Sequence, residues 1–293
     1  MTLHSLNAML VSGIVLGSFY AIMASGLSLI WTTLGIFNFA HGVFMALGAY
    51  VAWTISDAAG LDLWLGVAIA FAVAAVCAVG ILTERLFVRP FYGERNMLLI
   101  TTMTTLAVMM FLEKGIQLLW GPRLKQVRPV VEGDVTVLGV TISAHEAFVV
   151  CLAPVLLFGL WGFLRLTRTG RAIRAVGQNA QAARLIGINV PAMFAITFAV
   201  SAGAAALTGI LLGSIRLITP GLGSEPLIKA FIIVIFGGLG SLGGTIGAAY
   251  VIGLLEAFLI VTVGMYWTPS ALFLLLILTL LIRPQGLFGK AVH

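Results

Sequence analysis

Apolar residues along this chain fall in long runs, separated by short segments that hold most of its charge. The runs lie near 8–30, 36–55, 63–82, 98–120, 146–164, 192–215, 227–240, 245–263 and 267–282. Most approach the roughly 20 residues an α-helix needs to cross a hydrocarbon core about 30 Å thick. The seventh, Leu227 to Gly240, is short for a crossing and reads as a tilted, broken or re-entrant helix. The pattern predicts an all-α, polytopic membrane protein of about eight to nine transmembrane helices, forming a single transmembrane domain over residues 1–293.

Lys and Arg in the connecting loops set the orientation. Segment 165–191 carries Arg165, Arg168, Arg171, Arg174 and Arg184 with no acidic residue, so it is expected in the cytoplasm. Counting backwards, Arg85, Arg89 and Arg95 are also inside, and the loop around Asp57 and Asp62 is outside. Counting forwards through nine crossings puts Arg283 and Lys290 inside and the N-terminus outside. The longest external segment, 121–145, mixes Arg123, Lys125 and Arg128 with Glu132 and Asp134. Its VTVLGVTI alternation predicts a small β-hairpin, either a docking surface for an external partner or an inert connector.

Composition strengthens this picture. The 293 residues are 61% hydrophobic and 9% charged, with a mean hydropathy of +1.14; soluble domains run near 45–50% and 25%. The net charge of +6 sits in loops, as membrane topology requires, and gives no reason to expect nucleic acid. The N-terminus lacks a cationic n-region and its apolar run is too long for a signal peptide, so it reads as a retained first helix. Cys77 and Cys151 each lie in an apolar run without metal-like spacing and read as small buried hydrophobes.

Candidate chemistry is sparse. No GxxxxGK[ST] occurs, so the chain has no P-loop of its own, and no HExxH or GxSxG points to an enzyme. Gly238-x-Gly240-x-x-Gly243 matches the dinucleotide fingerprint formally, but its neighbours are apolar runs rather than a βαβ unit. Small residues at Gly13/Gly17, Gly209/Gly213, Gly240/Gly244 and Gly243/Gly247 suit close helix packing in lipid, with pore lining as the alternative. Asn38 and His41 lie near the start of a span and read as hydrogen-bonding groups between helices, as lining of a translocation path, or as proton-handling groups; Glu256 lies inside a span. Glu256 needs a partner or a wet cavity, because a charge at the bilayer centre costs about 2.5–3.5 kcal/mol. Glu113 and Lys114 are weaker candidates that can neutralise each other or snorkel. FNFAHGVFMALGAYV (37–51) and FGGLGSLGGTIGAAYV (236–251) echo one another faintly, as the repeats of transporter cores do.

The interior of 165–191 predicts one short amphipathic helix ended by Gly187 and Pro191. Ile173, Val176, Ala180, Ala183 and Gly187 form its apolar stripe, and Arg171, Arg174, Gln178 and Gln181 its opposite face. It either is gripped by a protein partner or lies on anionic lipid.

Several segments resemble a known family. Gly17–Ser18–x–Tyr20–Ala21, Ala24–x–Gly26–Leu27–x–Leu29–Ile30, Asn38–Phe39–Ala40–His41–Gly42 and Gly48–Ala49–Tyr50 are similar to the N-terminal signature of branched-chain amino acid ABC permeases. Arg171–x–x–Arg174–Ala175–x–x–Gln178–Asn179, with Ala182, Leu185 and Gly187–Ile188, resembles their cytoplasmic coupling segment. Gly237–Gly238–x–Gly240–Ser241, Gly253–x–x–Glu256 and the terminal Arg283–Pro284–Gln285–Gly286–Leu287–Phe288–Gly289 complete a likeness over nearly the whole chain, closest to the LivH-type subunit.

The resemblance implies a permease subunit of an ATP-binding-cassette importer in the bacterial inner membrane, carrying branched-chain or other amino acids or similar small polar solutes. It implies a LivM-type partner permease, two cytoplasmic ATPase subunits and a periplasmic solute-binding protein. ATP and Mg would be used by the ATPases, and this chain would bind no cofactor or metal. Arg171, Arg174, Ala175, Gln178, Asn179, Ala182, Leu185 and Gly187 would form the ATPase-coupling element. Asn38, His41, Gly237, Gly238, Ser241 and Glu256 would lie along the translocation path. The rival reading is a secondary transporter or channel driven by an ion gradient, with Glu256 and His41 as proton sites.

Overall fold

The computed structural model describes residues 3–58, 65–283 and 285–287. Asp62, Pro284, Phe288, Gly289 and Lys290, and the side chain of Asp57, lie outside the described residues. Each of the apolar runs falls on a helix. In chain order these are α1 (Leu3–Leu34), α2 (Ala40–Trp53), α3 (Leu65–Thr83), α4 (Met97–Trp120), α5 (Ala144–Leu166), α8 (Val190–Gly213), α9 (Ser224–Gly237), α10 (Leu242–Thr262) and α11 (Thr268–Ile282). The shorter α6 (Arg168–Gln178) and α7 (Ala180–Leu185) occupy the segment between α5 and α8. Among the described residues, six helices are long and apolar enough to cross a membrane, and two more apolar helices are shorter. The 14-residue α9 spans about 21 Å, short of a full crossing, as Leu227–Gly240 predicted.

Helices dominate because lipid offers the backbone no hydrogen-bond partners, so each crossing segment must satisfy its own amides. The expected hairpin is present as β1 (Asp134–Val137) and β2 (Val140–Ser143), antiparallel with Val137 opposite Val140. Its two turn residues, Leu138 and Gly139, both have positive φ, 53° and 77°, the conformation that tight hairpins require.

The chain divides into two compact units, one of residues 1–28, 129–158 and 228–293, the other of residues 29–128 and 159–227. In the second unit, α8 packs on both α2 and α3, through glycine. A Cβ on Gly209 would come within 2.0 Å of the Met45 carbonyl oxygen, and one on Gly48 within 2.6 Å of Ala206 Cα. In the first unit, α10 crosses α1 the same way: a Cβ on Gly253 would meet Gly17 and Gly13 backbone at 2.5–2.7 Å. The small-residue pattern therefore marks packing at Gly13/Gly17 and Gly209/Gly213. At Gly240 and Gly243 a Cβ would meet nothing within 4 Å.

Two sequence expectations need correction. Cys77 is half-buried with its sulfur against Gly203, but Cys151 lies on the exposed face of α5 rather than buried. Glu113 and Lys114 do not neutralise each other. Lys114 donates to Gln117 at 3.2 Å, while the Glu113 carboxylate faces Gly221; successive helical residues point about 100° apart.

Candidate functional site

The basic segment 165–191 is two helices, not one. Thr167 caps α6 by accepting from the Gly170 N–H at 2.9 Å. Asn179, extended at φ −158° and ψ 103°, ends α6 and caps α7 through its Oδ1, which accepts from Ala182 N–H at 2.9 Å. An Asn side chain competes with the helical hydrogen bond and so breaks the helix where it can start another. Gly187, at φ +84°, ends α7 as expected but is exposed, outside the apolar stripe.

Ile173, Val176 and Ala183 are buried, and Val176 and Ala183 join Val190, Phe194, Leu34 and Tyr92 in one cluster. Gly177 lies on the end of α1, where a Cβ would come within 2.5 Å of the Thr32 carbonyl oxygen. Facing outwards are Arg171, Arg174, Gln178, Asn179 and Ala182, with Ala175 half-buried. Leu185 and Ile186 are 88% and 76% exposed. An element fixed from behind on the ends of α1 and α8 therefore presents arginines and an apolar tip.

Beneath it sits a polar knot that was not foreseen from the residue pattern. Glu84, fully buried at the end of α3, accepts from Arg89 Nε and Nη2, both at 3.3 Å, and from the Tyr92 hydroxyl at 2.5 Å. Arg89 also donates to the Pro191 carbonyl oxygen at 3.4 Å, and the Tyr92 ring meets Phe194 edge-on at 4.9 Å. Burial, then the Glu84 carboxylate, push the Tyr92 phenol well above its ordinary pKa, so it stays a donor. The knot ties the corner after α3 to the start of α8.

Asn38 and His41 lie in the same unit as this segment and are fully buried. Asn38 Oδ1 accepts from Ala40 N–H at 3.1 Å, turning the chain into α2. Its Nδ2 has no hydrogen-bond partner among the described residues. His41 Nδ1 lies 3.2 Å from the Ser201 hydroxyl of α8.

Gly237, Gly238, Ser241 and Glu256 belong to the other unit. The chain bends between α9 and α10, with Gly238 and Gly240 both at φ +96°, and Ser241 Oγ caps α10 by accepting from Gly244 N–H at 3.0 Å. A Cβ on Gly237 would come within 2.6 Å of the Gly244 carbonyl oxygen. Both echoing segments thus join a bend to a glycine-packed helix, but only α10 has a side-chain N-cap; α2 begins at Phe39 without one. The terminal motif closes on this bend: Leu287 N–H donates to the Phe236 carbonyl oxygen at 2.8 Å, and a Cβ on Gly286 would meet Gly238 at 2.6–2.7 Å.

Glu256 is buried and paired. Lys229 Nζ lies 2.7 Å from its Oε1, and the Tyr20 hydroxyl donates to its Oε2 at 2.6 Å. Lys229 also donates to the Tyr20 oxygen at 3.1 Å. The need for a partner was legible; the partner was not.

A family model described as "Branched-chain amino acid transport system / permease component" matches residues 9–282. The chain is 33% identical to the high-affinity branched-chain amino acid transport system permease protein BraD of Pseudomonas aeruginosa, over 96% of this chain and 95% of that protein. It is 32% identical to LivH, the corresponding permease protein of Escherichia coli, over 95% and 94%. It is 29% identical to the fructose import permease protein FruF of Bifidobacterium longum, over 78% of this chain and 62% of that protein. No solved structure matches the chain significantly.

Proposed function

The chain belongs to the permease components of branched-chain amino acid transport systems, and we propose that residues 1–293 act as the transmembrane subunit of an ATP-driven amino-acid importer. A second, LivM-type permease would complete the membrane body, two cytoplasmic ATPases would hydrolyse MgATP, and a periplasmic binding protein would deliver solute to segment 121–145. The N-terminus would lie outside and the C-terminus inside.

One observation carries the coupling assignment. The α6–α7 element is anchored through Val176 and Ala183 while Arg171, Arg174, Leu185 and Ile186 face outwards. A partner that grips the exposed tip would move the starts and ends of the helices behind it, because the cluster and the Glu84 knot leave little slack. ATP-driven closure of the ATPases would thus pull on α1, α8 and the corner after α3. Asn38, His41 and the Gly237–Ser241 bend would border the route that opens.

The ion-gradient alternative loses its best site, since Lys229 and Tyr20 already hold the Glu256 carboxylate. Reconstitution with the ATPases and binding protein tests the proposal. ATP hydrolysis should rise with solute-loaded binding protein, and uptake should stop without ATP. Uptake that continues without any ATPase, and collapses with an uncoupler, would overturn it.

A further inference from the structure

A cleft of about 300 Å³ opens between the end of α3 and the start of α8, lined by Ile81, Arg85, Arg89, Asn189, Ala192 and Ile196 among others. We propose that this cleft binds the phosphate of an anionic glycerophospholipid in the inner leaflet. The inference rests on the membrane placement and inside-positive orientation of the chain, and is independent of the coupling to an ATPase.

Two cations are available there. Arg85 is exposed and makes no hydrogen bond or ion pair among the described residues. Arg89 commits Nε and Nη2 to Glu84 and Pro191, which leaves the two N–H groups of Nη1 unused. Planar guanidinium groups suit phosphate, which accepts paired charge-assisted hydrogen bonds. The amides at the start of α8 are already occupied: Ala192 N–H by the Asn189 side chain and Met193 N–H by the Asn189 carbonyl. That end of the helix adds a positive field, but the arginines carry the site.

The surroundings select a lipid over a free anion. The cleft sits at the ends of two membrane-length helices, beside the basic loops that orientation places inside. Leu82, Leu86 and Phe87 on α3 and the turn after it are 53%, 62% and 41% exposed, an apolar wall next to the cations. A phosphate headgroup at Arg85 would leave acyl chains along that wall. Basic pockets between transmembrane helices on the cytoplasmic side hold acidic headgroups in this manner.

The full-length chain is purified in detergent and titrated with phosphatidylglycerol or phosphatidylcholine of identical acyl chains, with retained lipid counted by native mass spectrometry. Phosphatidylglycerol is expected to bind at least tenfold more tightly. Arg85→Ala, which breaks no hydrogen bond or ion pair among the described residues, should remove most of that preference, and Arg85→Lys should keep part of it. Arg123→Ala, an equal loss of charge at an exposed residue elsewhere, should leave it intact. Equal binding of the two lipids, or an equal effect of Arg123→Ala, would overturn the proposal. Displacement of phosphatidylglycerol by equimolar inorganic phosphate would assign the cleft to a soluble anion and overturn the lipid. An unchanged preference for phosphatidylglycerol in Arg85→Ala would likewise overturn it.

Discussion

The Lys229 ammonium and the Glu256 carboxylate lie 2.7 Å apart with side-chain exposures of only 9% and 6%. Such a pair contributes little net stability over an apolar pair, because both ions were stripped of solvent, yet stranding either one is costly. Lys229→Met or Glu256→Gln alone is expected to destabilise the protein by about 3–5 kcal/mol. The double substitution should recover most of the loss. Thermal unfolding of the purified chain in detergent checks this, and a double variant no more stable than the worse single one would refute the pairing account.

The exposed tip of α7 gives a second prediction. Leu185→Asp on α7 and Arg171→Glu on α6 alter exposed side chains, so folding and membrane insertion should be unaffected. If the tip is an interface centre, each should weaken stimulation of the ATPase by about tenfold or more. Assays of binding-protein-stimulated ATP hydrolysis, alongside detergent-extracted yield, separate lost coupling from lost protein. Full stimulation in both variants would contradict the coupling role.

Helix crossings through glycine supply a third. Gly209→Val and Gly253→Val would drive a side chain into backbone atoms already within 2.0–2.7 Å of a Cβ position. Overpacking of this kind costs about 1–3 kcal/mol or more. Gly243→Ala, with open space around it, should be close to neutral. Unfolding midpoints of the three variants rank these sites directly.

How much of this the sequence disclosed follows from physics rather than luck. Lipid forces every spanning segment to be helical and apolar, so the helices could be read from run length alone, and the alternation of 134–143 gave the hairpin. Lys229 was invisible as a partner because it is 27 residues from Glu256 and 209 from Tyr20, and pairing at such separations leaves no local trace. Glu84 and Tyr92 were missed for a different reason: Arg89 and Tyr92 lie only five and eight residues from Glu84, but the chain leaves regular α-helical geometry there, and only that turn brings the three side chains together. The break at Asn179 was legible in principle, since Asn is a strong N-cap, but the apolar stripe ran on past it and favoured one helix. The clamp of Gly286 and Leu287 on the α9–α10 bend joined two motif fragments that sequence alone kept apart.

Tyr92 carries a dependence on pH. Its folded pKa is raised above the ordinary value near 10, so the fold favours the protonated phenol. The stabilisation is complete below that ordinary value and declines as the solution becomes more alkaline, because the unfolded chain then releases the proton first. Stability measured from pH 8 upward should fall more steeply for the native chain than for Tyr92→Phe. Equal slopes would mean the phenol does not contribute.

The reciprocal glycine contacts between α2 and α8 have a mechanical consequence. With Gly209 seated on the Met45 backbone and Gly48 on Ala206, each helix is notched into the other, so neither can slide or roll without lifting its neighbour's main chain. The two must travel together as one splint. Whatever opening and shutting the permease performs, its hinge must be sought elsewhere than along this seam.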